Sequence, residues 1–166
     1  MIYDVKIQRK FLNALFDIKG SIREVKSYLK EYINSLPVEP NSYIAQGNWK
    51  ILYVGPNHWI LVAPIDEEEE LISSLRPHDC PASMSIVLIS DTLTFFYIEG
   101  PDAFDILSIA SPLNLNIDVF TPNTATFSEI FGLKALTFRC GEGFQFAVDQ
   151  SFGDMVSNYL DLTLAN

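Results

Sequence analysis

The pentapeptides Phe16-Asp17-Ile18-Lys19-Gly20 and Phe96-Tyr97-Ile98-Glu99-Gly100 share the pattern F-x-I-x-G. Each closes a strand at a glycine and leads into a helix. Beyond each lie, in the same order, a helix, a proline-bearing loop, two or three strands and a further helix. Lys50-Ile51-Leu52 and Lys134-Ala135-Leu136 fall at similar places in the two halves. A shared motif in a shared order of elements indicates internal duplication. The expected fold class is α+β, with one domain over residues 1–166. It is built from two βαββ-type lobes, lobe 1 over about 10–80 and lobe 2 over about 81–166. Each lobe is a mainly antiparallel sheet with helices on one face.

Working outward, Phe11 to Ile18 reads as the first strand. Ser21 is the N-cap of a helix from Ile22 to about Ser35, on the helical spacing of Ile22, Val25, Leu29 and Ile33. Pro37 and Pro40 prevent its continuation. Strands follow at Ser42–Gln46, Trp49–Val54 and His58–Val62, the last two joined through Gly55-Pro56-Asn57. Asp66 caps a second helix through Leu75, and residues 76–81 form a proline-fixed linker. Lobe 2 opens with Ser85–Ile89, an apolar run of the kind buried on both faces. Leu93–Ile98 is its second strand. Gly100-Pro101 opens a helix to about Ile109, with Pro101 at the first helical position. A long loop from Ala110 to Asn123 precedes strands at Ala125–Phe131, Leu133–Arg139 and Phe144–Val148, the last hairpin turning at Gly141-Glu142-Gly143. Ser151 caps the final helix, to about Leu162, with Phe152, Met155, Val156, Tyr159 and Leu160 as its buried stripe.

The chain has 166 residues, 48% of them apolar, and a net charge of −10. That balance repels phosphate backbones and anionic bilayers, so neither nucleic acid nor a membrane is an expected partner. No apolar run is long enough to span a bilayer. Residues 1–10 lack the apolar segment of a signal peptide, so a cytoplasmic location is expected. The acidic run Asp66–Glu70 suits the positive end of a helix dipole better than a metal, because consecutive helical residues point in different directions. Cys80 and Cys140 sit in no zinc-type spacing and are expected to be reduced.

Chemistry is sparse. No glycine-rich phosphate cradle and no nucleophile elbow is present. Ser90-Asp91 are adjacent strand-end residues that face opposite sides. His58, in a turn beside Trp59, has the chemistry of a general base, but no second group is placed to orient it. His78 lies among polar linker residues. Trp49, Trp59, Tyr43 and Tyr53 gather in one hairpin region, where alternation favours a sheet core over a stacking platform. Neither catalytic nor metal-binding nor cofactor-binding residues are assigned. The expectation is a chain that works as part of a larger assembly.

Several segments, in order, resemble the γ subunit family of heterotetrameric sarcosine oxidase. Gly55-Pro56-Asn57-His58-Trp59-Ile60-Leu61 is similar to its G-P-[DN]-E-W-L-L segment, with His58 in place of the acid. Ile89-Ser90-Asp91 resembles a strand end of the family, and Gly100-Pro101-Asp102-Ala103 through Leu107 resembles its G-P-x-A-x-x-x-L helix start. Ser111-Pro112-Leu113-Asn114-Leu115 is similar to its C-P-L-D-L loop, and Ser151-Phe152 to the opening of its last helix. The resemblance runs from about Trp49 onward. It implies two ferredoxin-like pieces, related to the folate-binding region of aminomethyltransferases. It implies a non-catalytic subunit in a complex that demethylates sarcosine oxidatively to glycine, coupled to tetrahydrofolate. FAD, FMN, NAD and tetrahydrofolate would then reside on large partner subunits, with none on this chain. Two other readings stand beside it: a γ-like subunit of another N-methyl amino acid dehydrogenase, and a stand-alone folate binder using Asp91 or Glu129. The loop of residues 110–123 is the expected docking element, with Leu115, Phe120, Trp59 and His58 as contact residues.

Overall fold

The structure is a computed structural model that describes residues 3–10 and 12–165. The strands in chain order are β1 (Lys6–Lys10), β2 (Ala14–Lys19), β3 (Tyr43–Gln46), β4 (Trp49–Gly55), β5 (His58–Ala63), β6 (Ser85–Leu88), β7 (Leu93–Glu99), β8 (Ala125–Ile130), β9 (Leu133–Cys140) and β10 (Gly143–Asp149). The α-helices are α1 (Ile22–Leu29), α2 (Glu68–Leu75), α3 (Ala103–Ala110) and α4 (Gly153–Leu164). They form two compact units, one of residues Leu12–Ser90 and the other of the N-terminal segment together with residues from Asp91 onward.

The first unit is a five-stranded sheet in the order β3-β4-β5-β2-β6, antiparallel throughout. Its path β2-α1-β4-β5-α2-β6, with β3 added at one edge, is the split βαβ arrangement of ferredoxin-like folds. Phe16 and Ile18 sit opposite Leu61 and Trp59 on one side and Leu88 and Ile86 on the other. Val25 and Leu29 of α1 and Leu71 and Leu75 of α2 complete the core over them. Ser21 opens α1 as expected: its hydroxyl accepts from the Glu24 amide and donates to the Glu24 carboxylate.

The second unit repeats this plan with one substitution. Its sheet runs β1-β7-β10-β9-β8, also antiparallel. Phe96 and Ile98 of β7 lie opposite Phe146 and Phe144, as Phe16 and Ile18 lie opposite Leu61 and Trp59. The edge position that β6 holds in the first unit is filled here by β1, so the N-terminal strand closes the second sheet. Ile106, Leu107, Val156 and Leu160 cover it from α3 and α4. The expected lobes are therefore present, but their boundaries shift. Residues 3–10 join the second unit, and Ser85–Leu88 belongs to the first.

Other expectations change for local reasons. Phe11 lies outside the described residues. The strand Ser85–Leu88 is not buried on both faces: it pairs only with β2, and Val87 and Leu88 are exposed. Helix α1 ends at Leu29, not Ser35, because the Gln46 side chain takes over the backbone beyond it. Gln46 accepts from the Asn34 amide and donates to the Tyr32 carbonyl. Asp66 lies in a single 3-10 turn, and no side chain caps α2. Pro101 sits in the turn before α3. The Asp102 carboxylate does not cap that helix; it accepts from the Asp4 amide at 2.6 Å. At the start of the last helical segment the Asp149 carboxylate, not the Ser151 side chain, is the cap, accepting a hydrogen bond from the Ser151 amide. Lys50 and Lys134 are not equivalent. Through their strand partners Ile51 matches Thr137, so Lys50 matches Leu136.

The pattern glycines themselves are equivalent. Gly20 (φ 150°) and Gly100 (φ 123°) both hold a backbone conformation that L side chains rarely adopt. A Cβ at Gly20 would lie 2.7 Å from Met84 Cβ, and one at Gly100 2.5 Å from the Asp4 carbonyl oxygen. Met84 and Asp4 both lie just before the strand that closes their sheet. Gly100→Ala is expected to cost about 2–4 kcal/mol, since it adds a backbone clash to the strain. Gly47→Ala, at φ 59° with nothing nearby, should cost about 1–2 kcal/mol. Urea unfolding of the two variants measures the difference.

Candidate functional site

The strand pair β2–β5 assembles a polar cluster that sequence spacing conceals. Lys19 lies directly opposite His58, and Asp17 is two residues away on the same face of β2. His58 Nε2 is hydrogen-bonded to Asp17 Oδ1, and Lys19 Nζ lies 2.9 Å from Asp17 Oδ2. His58 thus has an orienting carboxylate, contrary to the sequence expectation. The partner is 41 residues away and reaches it only through strand pairing. A His-Asp pair can hold or transfer a proton, but no hydroxyl or thiol is hydrogen-bonded to this imidazole among the described residues. A same-strand ion pair, Lys19–Asp17, and a cross-strand hydrogen bond from β5 to the same carboxylate account for the arrangement.

The other expected contact residues are placed differently. Trp59 (1% exposed), Leu115 (1%) and Phe120 (2%) are core residues, so as docking residues they are corrected. Trp59 Nε1 donates to the Pro37 carbonyl at 2.9 Å, and the Tyr53 ring meets the indole edge-on with centroids 6.0 Å apart. The Trp49 indole donates to the Glu67 carboxylate. The Trp59 indole is engaged in packing, and the Trp49 and Tyr53 rings are half-buried. In the loop after α3, Arg139 turns Leu115 and Phe120 inward. Its guanidinium donates to both their carbonyls at 2.7 Å and lies 4.5 Å from the Phe144 ring centroid. Burial lowers the guanidinium pKa, and Glu142 opposes that shift. The loop is held by a buried cation, so its inner residues are structural.

Asp91 and Glu129 are exposed. Cys80 and Cys140 are both free thiols, and burial pushes the Cys80 thiol up, against a nucleophilic role. Among the described residues, no three or more His, Cys, Asp or Glu side chains gather as a metal site. No described helix is long and apolar enough to cross a membrane.

An open groove of about 410 Å³ lies in the second unit. Ile109 of α3, Tyr159, Leu162 and Thr163 of α4, Phe131 of the β8–β9 turn and Tyr3 line it. Phe131 and Tyr159 meet edge to face at 5.3 Å. Sequence periodicity placed Tyr159 in the core. Instead Val156 and Leu160 face the sheet, and Phe152 and Tyr159 are exposed.

No protein-family model and no curated protein sequence matches this chain. Solved structures do share its fold. A chain of heterotetrameric sarcosine oxidase from Corynebacterium sp. U-96 matches with a TM-score of 0.85 at 17% identity, over 97% of this chain and 84% of that one. The glycine cleavage system aminomethyltransferase T from Bartonella henselae matches with a TM-score of 0.73 at 12% identity, over 96% of this chain but 46% of its own length. The fold is therefore that of a sarcosine oxidase chain and of somewhat less than half of an aminomethyltransferase.

Two outcomes follow from this placement. Phe120→Ala should lose about 3–5 kcal/mol of stability through the cavity it leaves, read by thermal or urea unfolding. A change below about 1 kcal/mol would return Phe120 to the surface. In a double-mutant cycle, Asp17→Ala and His58→Ala should couple by about 0.5–1 kcal/mol, the net worth of a hydrogen bond between partly exposed groups.

Proposed function

We propose that this chain is a non-catalytic small subunit of an oxidase complex of the sarcosine oxidase type. In that complex, partner chains hold FAD, FMN, NAD and tetrahydrofolate and perform the oxidative demethylation of sarcosine to glycine. The observation that carries this reading is the extent of the match. Almost the whole of this chain corresponds to 84% of a chain in a heterotetrameric enzyme, so the units compared are of similar size. A subunit with this role needs a stable scaffold and a contact surface, not reactive groups. The buried loop, the structural aromatics and the exposed groove suit that division of labour.

A stand-alone folate-binding role draws support from the aminomethyltransferase match. The two carboxylates suggested for it, Asp91 and Glu129, are exposed and do not line the groove, which favours the subunit reading.

Expressed alone, the chain is expected to show no flavin absorbance and no sarcosine oxidation. Co-expressed with flavin-binding chains from its own host, it should elute with them as one complex and support sarcosine-dependent peroxide formation. Replacing sarcosine with other N-methyl amino acids in the same assay identifies the substrate. Stoichiometric flavin on the isolated chain, or tight calorimetric binding of tetrahydrofolate to it, would overturn the subunit reading.

A further inference from the structure

We propose that the cavity between α1 and residues 76–83 of the first unit is a binding site for a small amino acid, held as its zwitterion. The inference goes beyond the subunit reading and does not depend on it.

The cavity has a volume of about 350 Å³, at the lower end of the range of small-molecule sites. Its lining carries two carboxylates, Glu24 and Glu31, and two cations, Lys30 and Arg76. Glu24 and Tyr28 stand one turn apart on α1, and Lys30 and Glu31 follow directly after that helix. Charges of both signs thus line one concavity, yet none of the four is in an ion pair among the described residues.

Two of these charges are fixed by other groups. Tyr28 holds Arg76 at two points: its hydroxyl donates to the Arg76 carbonyl at 2.8 Å, and the guanidinium carbon lies 5.4 Å from its ring centroid. Stacking on a ring positions a guanidinium without using its N–H donors. On the α1 side, the Ser21 hydroxyl donates to the Glu24 carboxylate at 2.6 Å. Hydrogen bonds from Ser21, and then from Ser83, hold that carboxyl below the usual carboxylate range, so it is ionised at neutral pH. Its two oxygens can accept further bonds.

The balance of signs selects the ligand. A simple anion would satisfy Arg76 and Lys30 but meet Glu24 and Glu31, and a simple cation would do the reverse. A molecule that carries both a carboxylate and an ammonium group satisfies both sets. Its carboxylate matches the planar guanidinium fork, and its ammonium supplies three donors to the glutamates. Because Arg76 and Glu24 are already held in place, little ordering is required on binding.

The test follows the isotope-labelled full chain by NMR. Glycine, β-alanine and γ-aminobutyrate are titrated in turn, since they differ in the spacing of their charges. Acetate and methylammonium serve as probes with one charge each. Backbone shifts of residues 24–31 and 76–83 should saturate with at least one of the amino acids, at a Kd on the order of 1 mM or tighter. Acetate and methylammonium should bind about tenfold or more weakly, because each satisfies one sign alone. Arg76→Gln and Glu24→Gln should each weaken the amino acid by a similar factor, and a glutamine at position 24 can still serve the Ser21 cap. Lys30→Gln with Glu31→Gln changes only exposed side chains beyond the helix, and it should weaken binding without altering the unfolding temperature. Acetate or methylammonium binding as tightly as the amino acids would overturn the proposal. So would unchanged affinity in every variant, or shifts in these residues that fail to saturate with any of the three amino acids.

Discussion

Where β2 turns into α1 and β7 into α3, another stretch of chain passes too close for a side chain. At Gly100 the intruder is the Asp4 carbonyl, and at Gly20 it is Met84. The closing edge of each sheet depends on this close approach, because it lets β6 register beside β2 and β1 beside β7. In the second unit the end of β7 is crowded from both sides: a Cβ at Gly143 of β10 would lie 2.2 Å from the Ile98 carbonyl oxygen. The Asp102 carboxylate then ties the Asp4 amide, fastening the chain start to the turn that precedes α3. Glycine is required here for space as well as for backbone conformation.

The loops are organised by a second economy, in which buried or half-buried polar side chains satisfy backbone groups that no helix or strand serves. Gln46 does this for the segment after α1, and Arg139 for the segment after α3. Arg139 also stacks on Phe144, so the same side chain joins loop, strand and core. Loops held in this way give up their inward apolar residues to packing. The surface left for contacts is carried by the helices, where an apolar residue beyond those needed for the core simply faces outward.

That distribution suits a chain whose role lies in its contacts. The His58-Asp17-Lys19 cluster shows how a catalytic-looking pair can arise from strand pairing alone. The likeness to a sarcosine oxidase chain establishes the fold. The functional proposal rests on the size of the matched unit, beside an open groove with an apolar lining.

The duplication was legible in the sequence because F-x-I-x-G is a local signal. A strand must end, the chain must turn where a side chain does not fit, and a helix must begin, all within a few residues. Most strands, the Ser21 cap and the antiparallel character were legible for the same reason. What tertiary structure alone decided is pairing between distant segments. Nothing in Lys6–Lys10 announces that it closes the sheet of the second unit, and nothing in Ser85–Leu88 that it is an exposed edge. Apolar residues in a loop read alike whether they point in or out, so Leu115 and Phe120 resembled contacts until Arg139 fixed the loop above them. Helical periodicity likewise gives the width of an apolar stripe but not how much of it the sheet covers, and the part left over on α3 and α4 is the groove.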